Sequence, residues 1–166
     1  MSGTFPYKTP SDYLNKLRTL FYTMVGLPMF VFLGVYLTNR KNEYPILFAE
    51  PAAWLMGTVA VLCLLPAIYA YVLYYGELKK LRKLPSLREK LDGLYRLNLK
   101  KFWILETVTV LNLSVYVLSA HPAMAGLYVV MLVSFAMSNP SYYNVVSDLR
   151  LPKPERDIMR NNRQIE

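Results

Sequence analysis

The sequence predicts an all-α, polytopic membrane protein with four transmembrane helices, of which the second and third extend into a cytoplasmic helical hairpin. Three observations predict this fold: long apolar runs, a one-sided distribution of basic residues, and leucines at helical spacing between the second and third runs. The chain is 54% hydrophobic, whereas roughly 45–50% is usual for a soluble domain. We expect residues 1–150 to form a single membrane domain and residues 151–166 a polar cytoplasmic tail.

Four apolar runs divide the sequence, at about 20–37, 52–75, 102–118 and 124–137. A helix needs about 20 residues to cross the hydrocarbon core of a bilayer. The first three runs are long enough, and the fourth is a little short. We therefore expect the fourth helix to kink at Asn139-Pro140 and to continue beyond it.

The first helix is predicted to begin near Pro10. Thr9 is a typical N-cap residue, proline suits the first helical position, and Asp12 places an acid in the first turn. Pro28 lies inside the first apolar run and Pro66 inside the second, and each removes one backbone hydrogen bond. We expect kinks there, serving either packing or a hinge.

Residues 76–101 are predicted to form the tip of the hairpin. Leucines recur every three or four residues on both sides of Pro85, as on one face of a helix, and Ser86 with Glu89 forms a capping box for the returning helix. The arms, 51–84 and 86–119, would each hold about 34 residues, or roughly 50 Å. About 30 Å of this length lies in lipid. The tip leucines are Leu78, Leu81, Leu84, Leu87, Leu91 and Leu94.

The basic residues predict the orientation of the chain. Three precede the first run, two lie between the first and second, nine between the second and third, none between the third and fourth, and five follow the fourth. Short loops rich in Lys and Arg remain in the cytoplasm. Both termini and the hairpin tip are therefore expected to be cytoplasmic, and the compact chain with this charge bias favours a bacterial inner membrane.

A polar stripe on the third run contains the candidate intramembrane site, Glu106, Thr109 and Asn112. These side chains share one side of a helix, and ionisable groups inside a membrane are functional candidates. One interpretation is a proton-binding carboxylate or the lining of a solute path. The other is structural, with Asn112 bonded to a neighbouring helix and Glu106 paired with a cation. The candidate cations are Arg18, Lys100 and Lys101.

Basic residues on the two arms of the hairpin are predicted to form a collar at the membrane surface. Clusters of this kind attract anionic lipid at about 1 kcal/mol per charge. The same charges serve as a topology signal or as a specific site for a lipid or a protein partner. The collar residues are Lys79, Lys80, Arg82, Lys83, Lys100 and Lys101.

Residues that commonly carry chemistry are scarce. Cys63 is the only cysteine and His121 the only histidine, which excludes an intrachain disulfide and a site with two histidine ligands. No nucleotide-binding, serine-hydrolase or zinc-peptidase motif occurs. We therefore expect no catalytic residue, no metal site and no cofactor, and His121 is expected either to cap a helix or to lie exposed in a loop. The positive charge comes without a nucleic-acid recognition module, so no nucleic-acid partner is expected.

Two functions from different classes remain. The first is a non-catalytic accessory or scaffolding subunit of a membrane complex. It is favoured because two helices alone bury few of the tip leucines, so a protein partner or a second copy would cover them. The alternative is a small oligomeric transporter or channel that uses the polar stripe. A third, a membrane enzyme acting on lipids, is disfavoured by the lack of paired acids or a histidine at the inner interface.

Overall fold

The computed structural model describes residues 7–41, 47 and 52–165, and these residues contain helices and no strand. The all-α fold class is therefore confirmed. Six helices follow one another in this part of the chain: α1 (Pro10–Arg40), α2 (Ala53–Leu81), α3 (Leu87–Ser119), α4 (Pro122–Met137), α5 (Tyr142–Leu149) and α6 (Lys153–Arg160).

The helix starts follow the capping residues in the sequence. The Thr9 hydroxyl accepts a hydrogen bond from the Asp12 N–H at 3.3 Å, and the Ser86 hydroxyl accepts one from the Glu89 N–H at 3.2 Å. His121 caps α4 through its Nδ1 atom. Each cap satisfies a backbone donor that the first helical turn leaves open, and the three predicted starts are confirmed.

Helix α3 is the centre of the molecule and packs against α1, α2 and α4. A short turn at residues 82–86 joins α2 to α3, so the two helices run antiparallel along each other. They contain 29 and 33 residues, or about 44 and 50 Å. Helix α2 ends at Leu81 rather than at the predicted Leu84, and its predicted start at Pro51 lies outside the described residues.

The fourth apolar run does not continue as a kinked helix. Helix α4 ends at Met137, and α5 leaves the break at 76°. The physical reason is Pro140, which lacks a backbone N–H and disfavours helical geometry at Asn139 before it. The described chain thus has three helices long and apolar enough to cross a membrane, or up to four if α4 and α5 form one span.

The outward faces of these helices are apolar, as expected for a membrane protein. Leu27 and Phe30 on α1 are 70% and 78% exposed, and Val72 on α2 is 65% exposed. So much exposed apolar surface is rare in a soluble monomer. Together with the length of the helices, it indicates that the protein resides in a membrane.

The predicted polar tail after residue 150 is folded against the hairpin, through an ion pair of Glu155 with Lys90, and against the N-terminal segment. The Ile165 N–H donates to the Lys8 carbonyl at 3.1 Å, and the Ser11 N–H donates to the Asn162 Oδ1 at 2.9 Å. We call the unit formed by residues 7–18, 76–101 and 139–165 the head. Its parts come from three distant segments of the sequence.

Candidate functional site

The three residues of the predicted intramembrane site have different surroundings. The Thr109 hydroxyl donates to the Leu105 carbonyl of its own helix at 2.7 Å. Asn112 is fully buried, and its Nδ2 donates to the Met124 carbonyl at 3.1 Å, which ties α3 to the start of α4. Glu106 is half-buried. The bond of Asn112 to α4 is the cross-helix contact that the structural interpretation predicts.

The carboxylate of Glu106 forms no ion pair with any of the cations that the structural interpretation predicts for it. Among the described residues, neither Arg18, Lys100 nor Lys101 forms an ion pair with Glu106. The Arg18 Nε instead donates to the Pro140 carbonyl at 3.1 Å. Two side-chain oxygens of this stripe, the Glu106 Oε2 and the Asn112 Oδ1, are buried and have no hydrogen-bond partner in the described part of the chain.

The predicted basic collar separates into an outer and an inner group. Lys79, Lys83 and Lys100 are exposed and form no ion pair with a described residue. Lys80 is also exposed, and pairs with Glu77 at 2.7 Å. The inner group consists of Arg82, whose Nε donates to the Asp148 carbonyl at 2.7 Å, and Lys101, which is 6% exposed. Only the outer group can therefore act as a charged collar.

Four of the six tip leucines are buried within the fold of the same chain. Leu78, Leu87, Leu91 and Leu94 are each at most 6% exposed, whereas Leu81 and Leu84 are half-buried. Leu87 lines a cavity together with Ile158 of α6. The C-terminal segment thus contributes cover that two helices alone lack, and the four buried leucines offer no surface to a partner.

A polar cavity of about 170 Å³ lies between the head and the adjacent ends of α2 and α4. It is bounded by α2, by α3, by the break between α4 and α5, and by α5 itself. A cavity needs only roughly 10–15 Å³ to hold one water molecule, so this one can accept a small polar group. The polar side chains that line it are Tyr71, Tyr74, Tyr75, Asn98, Lys101, Ser138, Asn139, Asn144 and Asp148.

Lys101 supplies the positive charge of this cavity. Its Nζ lies 3.9 Å from the centre of the Tyr74 ring, 5.7 Å from that of Tyr71 and 5.6 Å from that of Phe102. The ammonium therefore rests on aromatic faces, which attract cations. It lines the cavity and forms no hydrogen bond or ion pair within the ranges 7–41 and 52–165, so its three donors have no described acceptor.

Asp148 supplies the negative charge. Its Oδ2 accepts a hydrogen bond from the Tyr74 hydroxyl at 2.6 Å, so one side chain, Tyr74, contacts both charges. The Tyr71 hydroxyl donates to the Ser134 carbonyl at 2.5 Å and shares a hydrogen bond of 2.9 Å with Ser138. These bonds hold the Tyr71 and Tyr74 side chains in place. Lys101 and Asp148 are the charged side chains of the cavity that can bind a further group.

The burial of Lys101 can be predicted from its spacing in the sequence, although not from composition. Lys101 follows Leu94 and Asn98 and precedes Leu105 at spacings of three and four residues. This spacing puts it on the buried face of α3 rather than on the collar. Asp148 carries no comparable signal, because its place in the cavity depends on the turn at Asn139-Pro140.

The Cys63 thiol and the possible metal ligands are the other groups that commonly carry chemistry, and the structure gives their surroundings. The Cys63 thiol is buried and lies 3.5 Å from the Val108 carbonyl, to which it donates. In the described part of the chain, no group of three or more His, Cys, Asp or Glu side chains is placed to hold a metal ion.

Comparison with known proteins gives no match to a protein family, to a curated protein or to a solved structure.

Proposed function

We propose that the protein is a non-catalytic integral membrane protein, an accessory or scaffolding subunit that docks an acidic surface of a partner protein on the basic end of its hairpin. One observation carries this proposal. Lys79, Lys83 and Lys100 are exposed and lack a carboxylate partner within the described chain. Complementary charge across an interface steers association and selects partners.

The head on which these lysines lie is well packed. Lys90 and Glu155 form an ion pair at 2.7 Å with both side chains largely buried, and the tip leucines are packed beneath. A site on a rigid support loses less entropy when it binds. The docking surface therefore consists of the charged collar and not of the leucines.

We place the head in the cytoplasm and the protein in a bacterial inner membrane. Seventeen of the nineteen basic residues lie in the segments that form or flank the head, and such residues favour the cytoplasmic side. In this arrangement the fourth apolar run completes a fourth crossing that ends at the break before α5, and both termini are cytoplasmic. The collar also lies next to anionic lipid, which it attracts.

The test compares the native chain with a charge-reversed variant, Lys79→Glu with Lys83→Glu and Lys100→Glu. In mild detergent and after crosslinking in membranes, we expect the native chain in a species larger than the monomer. The variant should bind its partner at least tenfold more weakly, and 0.5 M salt should weaken the native complex, because exposed charges are screened.

A matched control reverses three exposed charges on and after α6, Lys153→Glu with Arg160→Glu and Arg163→Glu, and changes the net charge equally. This control should keep the complex. A bare monomer in both assays contradicts the proposal, as does a complex that survives reversal of the collar. A third outcome also contradicts the proposal. If the charge-reversed variant loses only its binding to anionic vesicles, and no protein complex is detected, the collar binds lipid rather than a protein.

A second candidate function is a small oligomeric transporter or channel. It is favoured by the Glu106 carboxylate, which has a buried oxygen without a described partner, because such a group inside a membrane is costly to retain. In reconstituted vesicles, Glu106→Gln should abolish ion or proton-coupled flux, whereas the neighbouring exposed change Thr107→Val should not. Equal flux with native chain and Glu106→Gln rejects this function.

A further inference from the structure

We propose that the cavity around Lys101 and Asp148 binds a zwitterionic phosphoethanolamine group, with the phosphate at Lys101 and the ammonium at Asp148. The inference does not depend on a protein partner. It rests on two opposite charges that line one cavity of about 170 Å³ without a direct ion pair between them in the described chain.

The Lys101 ammonium is the group that we expect to bind the phosphate. A buried charge is costly unless it is paired or hydrogen-bonded. Lys101 is 6% exposed, rests on aromatic rings and is attracted by the charge of Asp148, but it forms no direct ion pair or hydrogen bond with a described residue. A phosphate oxygen in the cavity would accept from its free donors. Lysine is a common phosphate ligand in proteins, where it acts as a point charge.

Asp148 makes a zwitterion a better occupant than a simple anion. A carboxylate in the cavity repels a second anion but attracts a primary ammonium. Tyr74 occupies only the Oδ2 atom of Asp148, so Oδ1 is available to accept from the ammonium. One ligand with both charges thus satisfies both walls.

The ends of two apolar runs border the cavity, so we place it at the depth of lipid headgroups. Tyr75 and Met137, which end the second and fourth apolar runs, are 58% and 77% exposed and line the cavity. Membrane helices exchange hydrocarbon for headgroup contact where their apolar runs end. A lipid alongside α2 and α4 can therefore place its headgroup inside while its chains remain in the bilayer.

The test measures thermal unfolding of the full chain in detergent micelles with added lipid. Phosphatidylethanolamine far above its Kd should raise the Tm by roughly 5–10 °C, and phosphatidylglycerol, which lacks the ammonium, should raise it much less. Soluble phosphoethanolamine forms a separate arm. A shift with the soluble group identifies a soluble ligand of the same chemistry, and a shift with the lipid alone identifies the membrane as the source.

Two variants separate the halves of the site. Lys101→Met keeps the packing on Tyr74 without the charge, and Asp148→Asn keeps an acceptor for the Tyr74 hydroxyl; each should abolish the lipid-dependent rise in Tm. Lys153→Met, which changes an exposed lysine of the head that does not line the cavity, should preserve it. Equal rises with the two lipids, no rise with any probe, or an unchanged rise in Lys101→Met would overturn the assignment. Should Lys101→Met fail to fold, Asp148→Asn and the lipid comparison decide.

Discussion

Gly93 of α3 faces the end of α2, where the side chain of Leu81 occupies the space that a Cβ atom would need. Gly76 of α2 has open space at the corresponding position. Alanine in place of glycine stabilises a helix by about 1 kcal/mol. We expect this full gain in the free energy of unfolding for Gly76→Ala, and a smaller gain or a loss for Gly93→Ala, because Leu81 must move away.

A double-mutant cycle in detergent micelles attributes the difference to Leu81. In a Leu81→Ala background, Gly93→Ala should recover its gain, with a coupling of roughly 0.5–3 kcal/mol, as is typical of residues in contact. Gly76→Ala should give the same gain in both backgrounds. An effect of Gly93→Ala that is independent of Leu81 contradicts the close approach.

At the scale of elements, α6 is held on the hairpin by the ion pair of Lys90 and Glu155, with N–O distances of 2.7 and 2.9 Å. Removing one partner of a buried pair leaves an uncompensated charge and costs about 3 kcal/mol or more. For Lys90→Met we expect amide hydrogen exchange in residues 153–165 to accelerate roughly 100-fold, since local opening becomes easier.

Two further variants check this interpretation. Lys80→Met removes the exposed pair with Glu77 and should leave exchange in α6 unchanged, because surface pairs contribute little. The double change Lys90→Met with Glu155→Met should restore much of the protection, since apolar replacements of a whole pair are tolerated. Protection that stays lost in the double variant shows that α6 depends on lysine packing and not on charge.

The elements also show what sequence could and could not predict. Thr9, Ser86 and His121 give helix starts because a cap acts on backbone within three residues. The break at Asn139-Pro140 was visible, but its angle depends on what α5 packs against. The docking of α6 joins Lys90 to Glu155, 65 positions apart, and no local pattern encodes such a pair.

The candidate site divides along the same line. Glu106, Thr109 and Asn112 stand out in the sequence because they are polar residues in an apolar run, and their role as a site stays a prediction. The basic neighbours of Lys101 predict a place in the collar, although its spacing favours the buried face. Its role follows from the ring of Tyr74 and the charge of Asp148, which reach it from two other helices.

At the scale of the whole molecule, we expect the head and the turn between α3 and α4 to face opposite sides of the membrane. The Leu47 N–H donates to the Leu118 carbonyl at 3.2 Å, which places Leu47 at the end of α3 away from the head. Cys63 is the only cysteine and is buried, so single cysteines introduced elsewhere report topology in intact bacterial cells.

A membrane-impermeant maleimide should label Leu47→Cys and Ala123→Cys in intact cells. Lys83→Cys and Lys153→Cys should react only after the membrane is opened. The native chain, with Cys63 alone, provides the background. Labelling of Lys83→Cys in intact cells places the head outside and contradicts both the orientation and the cytoplasmic docking surface.

The cover of the hairpin leucines comes from a part of the chain that is synthesised long after them. Leu97 and Met159, both buried in the same core, are separated by about 60 residues, which a ribosome adds in roughly 3–12 s. During this interval α6 cannot yet cover its side of the hairpin. We therefore expect that side to contact another surface, such as a chaperone or the lipid, until α6 replaces it.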